Sequence, residues 1–422
     1  MDNIEALVLR GVEQNWKREV GFLRNLVRQR STLGNEADAQ RVVAAELREM
    51  GLDVDWWQVN HAAIATLPGY SPVEWSYEGR PNVAATWRSP SNDGRSLILN
   101  GHIDVVPATP EHHWTYDPWD GQVADGRMYG RGAADMKAGI AAMVYAVRAL
   151  READIRLKGN VTLETVIEEE CTGNGTLATL ARGYTADAAI IPEPFGQVGL
   201  EAQLGVMWAR VTVRGAAAHV ERADEAVNAI TKAYGLIQAI EELEAEVNAL
   251  ENRPPHYRNV PHPLNYNVGT IKAGDWPSSV PSECTFEVRI AAYPGADLDE
   301  VQTQFRTRLA EAADRDAWLS ENPPQVDFYA IRGEGCVVDR NEELFLSLEG
   351  AHKKITRKHL DFIAFTGLSD IRFFNLYHDT PATCYGPAAG NFHAPDEWVD
   401  LTSLEATTKV LALTIMDWCG RE

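Results

Sequence analysis

The chain has 422 residues, 45% of them apolar and 24% charged, long enough for two or more domains with their own cores and unlike a disordered protein. A formal charge of −22 opposes phosphate and anionic lipid, so neither nucleic acid nor a membrane surface is an expected partner. Five scattered cysteines without a C-x-x-C pair argue against a disulfide framework and a cysteine-rich zinc module. The first twenty residues alternate charged and apolar side chains instead of forming a secretory h-region. No later run reaches the roughly 18–20 apolar residues of a membrane span, so a cytoplasmic protein is expected.

In chain order, residues 36–50 carry Val42, Val43 and Leu47 at helical spacing before the stop at Gly51. Short apolar runs follow at 96–100, 161–167 and 188–192, with a helical pattern over 138–150 between the first two. This alternation predicts an α/β fold with a mostly parallel sheet flanked by helices. The middle differs. A strand pattern at 206–215 leads into an amphipathic helix with a stripe at Val227, Ile230, Tyr234, Ile237, Ile240, Leu243, Val247 and Leu250. Strands at 266–271 and 284–290, a helix at 297–313 and a strand at 325–331 complete a β-α-β-β-α-β unit. We read 203–332 as an inserted α+β domain and 1–202 with 333–422 as the α/β domain. The basic cluster at 352–359 reads as a solvated helix face.

Chemistry-bearing side chains collect where strands end. LILNGHIDVVP (97–107) places His102 and Asp104 two residues apart, hence on one face of an extended chain, at the strand end where open α/β sheets bind ligands. Such a pair is often purely structural. YGRGAADMKAG (129–139) sets Asp135 in a glycine-rich turn before a helix, where capping is the ordinary role. TVIEEECTGNG (165–175) ends a strand with Glu168, Glu169 and Glu170, which repel one another unless solvated or opposed by a cation. IIPEPFG (190–196) ends another with Glu193, and GPAAGNFHAPDEW (386–398) offers His393. Jointly these residues make the mixed nitrogen and oxygen donor set of a zinc-type hydrolase.

In order and spacing the five segments resemble the M20 metallopeptidases, which include acetylornithine deacetylase, succinyl-diaminopimelate desuccinylase, aminoacylase and carboxypeptidase G. TGLSDIRFF (366–374) is similar to that family's TD-x-R segment, and the likeness spans nearly the whole chain. It implies two divalent metal ions, zinc first and cobalt or manganese as alternatives. His102 and Glu193 would hold one ion, Glu170 and His393 the other, and Asp135 would bridge them beside a cis peptide. Asp104 would orient His102, and Glu169 would act as general base toward a metal-bridging hydroxide. VRGAAAHVERADEAVNAI (213–230) resembles the G-x-x-x-H…NAI signature of the lid, in which His219 stabilises the oxyanion and the same domain forms a homodimer. Arg289 lies in a segment resembling P-x-x-C…R, with Pro281 and Cys284 matching, and would bind a substrate carboxylate. Ser278 stands where the family often has a substrate-contacting asparagine.

The implied activity is hydrolysis of an amide C–N bond in an N-acyl amino acid or related small molecule. A dipeptidase or carboxypeptidase, or a hydrolase of another C–N bond in an aromatic amine or carbamoyl group, is the alternative within the class. From another class, a non-catalytic dimeric binding protein would be expected to have lost one or more of these side chains, and none is absent. A nucleotide-binding α/β protein is disfavoured because no G-x-G-x-x-G or P-loop motif follows the first strands.

Overall fold

The computed structural model describes residues 2–422. Its largest sheet has six strands in the order Val54–Gln58, Pro81–Trp87, Val161–Val166, Leu97–His102, Ala189–Ile191 and Ala382–Cys384. The four from Val161–Val166 onward are parallel, and the first two add antiparallel. The mostly parallel α/β sheet expected from the apolar runs is therefore present, with an antiparallel edge. Leu97–His102 and Val161–Val166 are buried at every position, as central strands covered on both faces must be.

One of the covering elements is the helix Lys137–Glu152, buried continuously from Lys137 to Leu150. It packs against the helices Asn3–Val27 and Leu401–Cys419 and the strand Leu97–His102. A helix buried on every face has to be enclosed in this way. Each fully buried aliphatic side chain there, such as Ile140 or Leu150, contributes ~1.5–3 kcal/mol. Asn3–Val27 begins in a capping box: Asp2 Oδ1 accepts from Glu5 N–H at 2.8 Å, and Glu5 Oε2 accepts from Asp2 N–H at 3.0 Å.

Four antiparallel strands make a second sheet in the order Asn267–Ala273, Glu283–Ala292, Gly205–Arg214 and Gln325–Gly333. The helices Ala229–Val247 and Leu298–Asp314 pack against each other, and together with this sheet they enclose a second core that includes Met207, Val211, Phe286 and Phe305. Alternating burial along Gly205–Arg214 gives that sheet its covered and open faces. The helix Ala229–Val247 departs from the stripe read in the sequence. Ala229, Ala233, Leu236, Ile240 and Leu243 face inward, whereas Ile230 and Tyr234 are exposed. Small alanines take the close approach to the sheet, which turns the larger residues outward. All five cysteines are buried free thiols, and among the described residues no helix is long and apolar enough to cross a membrane.

Candidate metal centre

Neighbouring strands of the six-stranded sheet end together. His102 pairs with Val166 in register, and Ile103 N–H donates to Val166 O at 2.8 Å. The segments leaving both strands therefore run side by side, bringing Glu169 and Glu170 next to His102. Glu193 lies two residues beyond the next strand, Ala189–Ile191. Asp135 arrives from the turn before Lys137–Glu152. Gly132 in that turn has φ +78°, and a Cβ there would sit 2.6 Å from Val105 Cγ1, so only glycine lets the turn lie against the strand end. The buried Lys137 ties the start of the helix down by donating to the carbonyls of Leu26 at 3.0 Å and Gln29 at 2.9 Å. The Asp135–Met136 peptide is cis. His393 comes from loop 391–396 and is half exposed.

The two oxygens of Asp135 face different imidazoles. Oδ1 is 3.1 Å from His102 Nε2, and Oδ2 is 3.5 Å from His393 Nε2. On the first side, Glu193 Oε1 lies 3.7 Å from His102 Nε2 and Glu169 Oε2 lies 4.0 Å away. On the second, Glu170 Oε2 is 3.1 Å from His393 Nε2. Donor atoms of His102, Asp135 and Glu170 all fall within 4.8 Å of one another.

This set fits a divalent cation. His102 Nδ1 is 3.0 Å from the main-chain carbonyl of Asp104, an acceptor only, so Nδ1 carries the hydrogen and Nε2 is turned toward the Asp135 carboxylate. An imidazole with oxygen acceptors on both nitrogens demands positive charge, from a second proton or from a cation between Nε2 and the carboxylates. The electrostatics agree. Burial alone would lower the His102 imidazole, but Asp135, Glu169, Glu193 and Asp104 hold it well above its ordinary value. The charge of Glu170, followed by hydrogen bonds to Asp135 and Glu170, pushes His393 up to about 11. Burial, with neighbouring carboxylates, drives Glu169 and Glu193 well above the usual carboxylate range. Burial would also raise Asp135, but the two imidazoles pull it below. The raised imidazoles reflect the carboxylates around them, and the raised Glu169 and Glu193 reflect burial first and neighbouring carboxylates second.

Asp104 does two jobs with two groups. Its main-chain carbonyl takes the His102 hydrogen, while its carboxylate Oδ1 stands 3.7 Å from Nδ1. That carboxylate instead accepts from the N–H groups of Glu169 at 3.3 Å and Glu170 at 3.2 Å, coupling the His102 strand to the glutamate turn. Glu168 explains the triple glutamate. Its φ of +70° swings the side chain away from its neighbours into full burial. There it accepts from Trp75 Nε1 at 2.6 Å, Thr172 Oγ1 at 2.9 Å, Tyr77 OH at 3.1 Å and the Arg80 guanidinium. Two acidic groups of consequence were not singled out from sequence: Asp370, buried and hydrogen-bonded by Thr176 Oγ1 at 2.6 Å, and Glu397. Of the two, Asp370 alone had a signal, its position in the TGLSDIRFF segment.

The remaining three candidate residues lie on the second sheet's side. His219 is exposed, its Nδ1 accepting from Glu221 N–H at 3.2 Å, and it pairs with Ser279 in a short antiparallel ladder. Ser278 closes the same ladder by accepting from Val220 N–H at 3.0 Å. Arg289 donates to the main-chain carbonyls of Asn265 at 3.3 Å and Thr366 at 3.0 Å, so its fork is engaged by backbone. Among the described residues, no hydrogen bond or ion pair joins these three to the imidazole–carboxylate cluster.

Solved structures share this architecture. The di-peptidase Dug1p of Saccharomyces cerevisiae superposes with a TM-score of 0.82 over 99% of each chain at 16% identity. Human carnosine dipeptidase 1 does so with a TM-score of 0.78 over 99% of each at 18% identity. By sequence the chain is 28% identical over 412 residues to the N-formyl-4-amino-5-aminomethyl-2-methylpyrimidine deformylase of Bacillus subtilis (strain 168), covering 92% of this chain and 91% of that one. The deformylase of the same name from Halalkalibacterium halodurans is 28% identical over 406 residues, 91% of this chain and 90% of that one. The family model for peptidase family M20/M25/M40 matches residues 98–417, which hold every member of the imidazole–carboxylate cluster, and the chain belongs to that family.

Proposed function

We propose that the protein hydrolyses the amide C–N bond of a small N-acylated amine, with two divalent ions, zinc first, held on either side of Asp135. His102 and Glu193 would hold one ion and Glu170 with His393 the other, Asp135 serving both. The observation that carries this reading is the division of the Asp135 carboxylate between the two imidazoles. When bound, the ions lower the pKa of water and polarise the scissile carbonyl. Glu169 takes the proton of the attacking water and returns it to the departing amine nitrogen. Asp104 holds the Glu169 main chain in place for it.

We further propose that residues 203–332 act as lid and homodimerisation domain, with Ser278 beside the substrate and His219 reaching the oxyanion of its own or the partner subunit's site. Support comes from apolar residues left uncovered there, Ile230, Tyr234 and Ile271. The deformylase relatives make an N-formylated aminomethylpyrimidine the first substrate to try. Such a substrate carries no carboxylate, in keeping with Arg289 already donating to backbone carbonyls.

The test is a hydrolysis screen with zinc, cobalt and manganese. It covers that formamide, N-formyl, N-acetyl and N-succinyl amino acids, and dipeptides. Release of formate or another carboxylate with a free amine is expected. Turnover confined to dipeptides would replace the reading by a peptidase, and inertness toward every C–N substrate with all three metals would overturn it.

A further inference from the structure

We infer that Glu397 is a positioning residue that locks the His393 loop to the Asp135 turn, so that one buried carboxylate sets the relative placement of both sides of the centre. The inference rests on the reading of Asp135 and His393 as metal-holding groups.

Glu397 is wholly buried. Its Oε1 accepts from the N–H groups of Ala134 at 2.9 Å and Asp135 at 3.1 Å, and its Oε2 pairs with the Arg131 guanidinium. Its main-chain carbonyl accepts from Gly130 N–H at 3.0 Å. One residue thus grips the turn at 130, 131, 134 and 135. Two neighbouring N–H groups sharing one oxygen fix the peptide plane between Ala134 and Asp135, and with it the direction in which the Asp135 side chain leaves the backbone. That direction decides whether Oδ1 meets His102 while Oδ2 meets His393.

The other end of the link is the loop that carries His393. Asn391 Nδ2 donates to Asp396 O at 3.1 Å, closing loop 391–396 immediately before Glu397. Asn391, His393 and Asp396 all have φ near +55°, a conformation non-glycine residues keep only when their surroundings impose it. Immediately after Glu397, Trp398–Asp400 pairs antiparallel with Arg127–Tyr129, Trp398 opposite Tyr129. The two segments are therefore joined by a ladder on one side of Glu397 and by its carboxylate at the centre. An apolar side chain would fill the space, but it would leave the N–H groups of Ala134 and Asp135 free to turn. Outer groups of this kind typically change metal affinity 10–100-fold when removed.

The test uses the full-length protein, freed of metal and titrated with Co2+, followed by the cobalt visible absorption bands and by competition with a chelator, alongside thermal melts of the metal-free forms. Two paired variants separate positioning from mere stability. Arg131→Met with Glu397→Met keeps volume and removes the acceptor. Arg131→Gln with Glu397→Gln keeps a neutral acceptor for the two N–H groups. The methionine pair is expected to bind its weaker Co2+ about 10–100-fold less tightly, whatever its melting temperature. The glutamine pair is expected to stay within about threefold of wild type and to recover the absorption bands. Two Co2+ bound to the methionine pair with wild-type affinity would overturn the role of Glu397 and leave the metal centre standing. Wild-type protein that binds no Co2+ would overturn both. Should the methionine pair not fold, Arg131→Leu with Glu397→Leu, which likewise removes the acceptor, carries its outcomes in the same assay.

Discussion

Glu169→Gln is expected to lower kcat by about 10²–10⁴ while KM and bound metal stay close to wild type. The side chain is largely buried, with Oε2 4.0 Å from His102 Nε2 and its main-chain N–H held by Asp104. That places it against the centre without the closer contacts that Asp135 and Glu170 make with the imidazoles. Glutamine preserves shape and the Asp104 hydrogen bond, yet its amide neither accepts the proton of water nor delivers one to the leaving nitrogen. The effect should therefore fall on the chemical step. Steady-state kinetics with metal analysis of the same sample measure it, and a variant within fivefold of wild-type kcat would remove Glu169 from the mechanism.

Arg80→Met should destabilise the fold by about 3–5 kcal/mol, the cost of breaking a buried ion pair by deleting one partner. Arg80 is 3% exposed and serves two fully buried carboxylates, Glu36 through Nε and Nη2 and Glu168 through Nη1. Burial alone would lower its guanidinium, and hydrogen bonding with Glu36 and the charges of both acids hold it raised instead. Methionine matches the stem but leaves both acids uncompensated in the interior. Because Glu168 directly precedes Glu169, its release should also loosen the turn that carries the proposed general base. Urea unfolding gives the stability change, and a loss under about 1 kcal/mol would show that solvent or a rearranged neighbour replaces the guanidinium.

What could be read in advance follows from locality. His102, Glu169, Glu170 and Glu193 each sit at or just beyond a strand whose apolar run is unmistakable, so placing the strands placed the side chains at one edge of the sheet. Asp135 and His393 depended on motif order, because nothing local relates a glycine-rich turn to a loop more than two hundred residues later. Glu168 was invisible for the opposite reason. Three consecutive glutamates look alike in sequence, and a single left-handed backbone angle sends one of them to Arg80, 88 residues earlier. Glu397 read as one more acid after His393, since its partners at 131, 134 and 135 are distant in the chain. In the helix Ala229–Val247 the predicted stripe holds at Ile237, Ile240, Leu243 and Val247 and fails in the first turns, where Ala229 and Ala233 face the core in place of Ile230 and Tyr234. In those first turns the choice between alanines and an isoleucine–tyrosine pair is made by how closely the sheet approaches. The antiparallel strands Val54–Gln58 and Pro81–Trp87 are defined by pairing, the first with the second and the second with Val161–Val166.

Elemental analysis of protein reconstituted with zinc and then freed of loose metal tests the central claim most directly. Close to two ions per chain should remain, and about one in each of His102→Ala and His393→Ala, if the side chains on either side of Asp135 serve different ions as proposed. Wild-type protein that retains no metal, or a doubly substituted protein that still retains two, would contradict it.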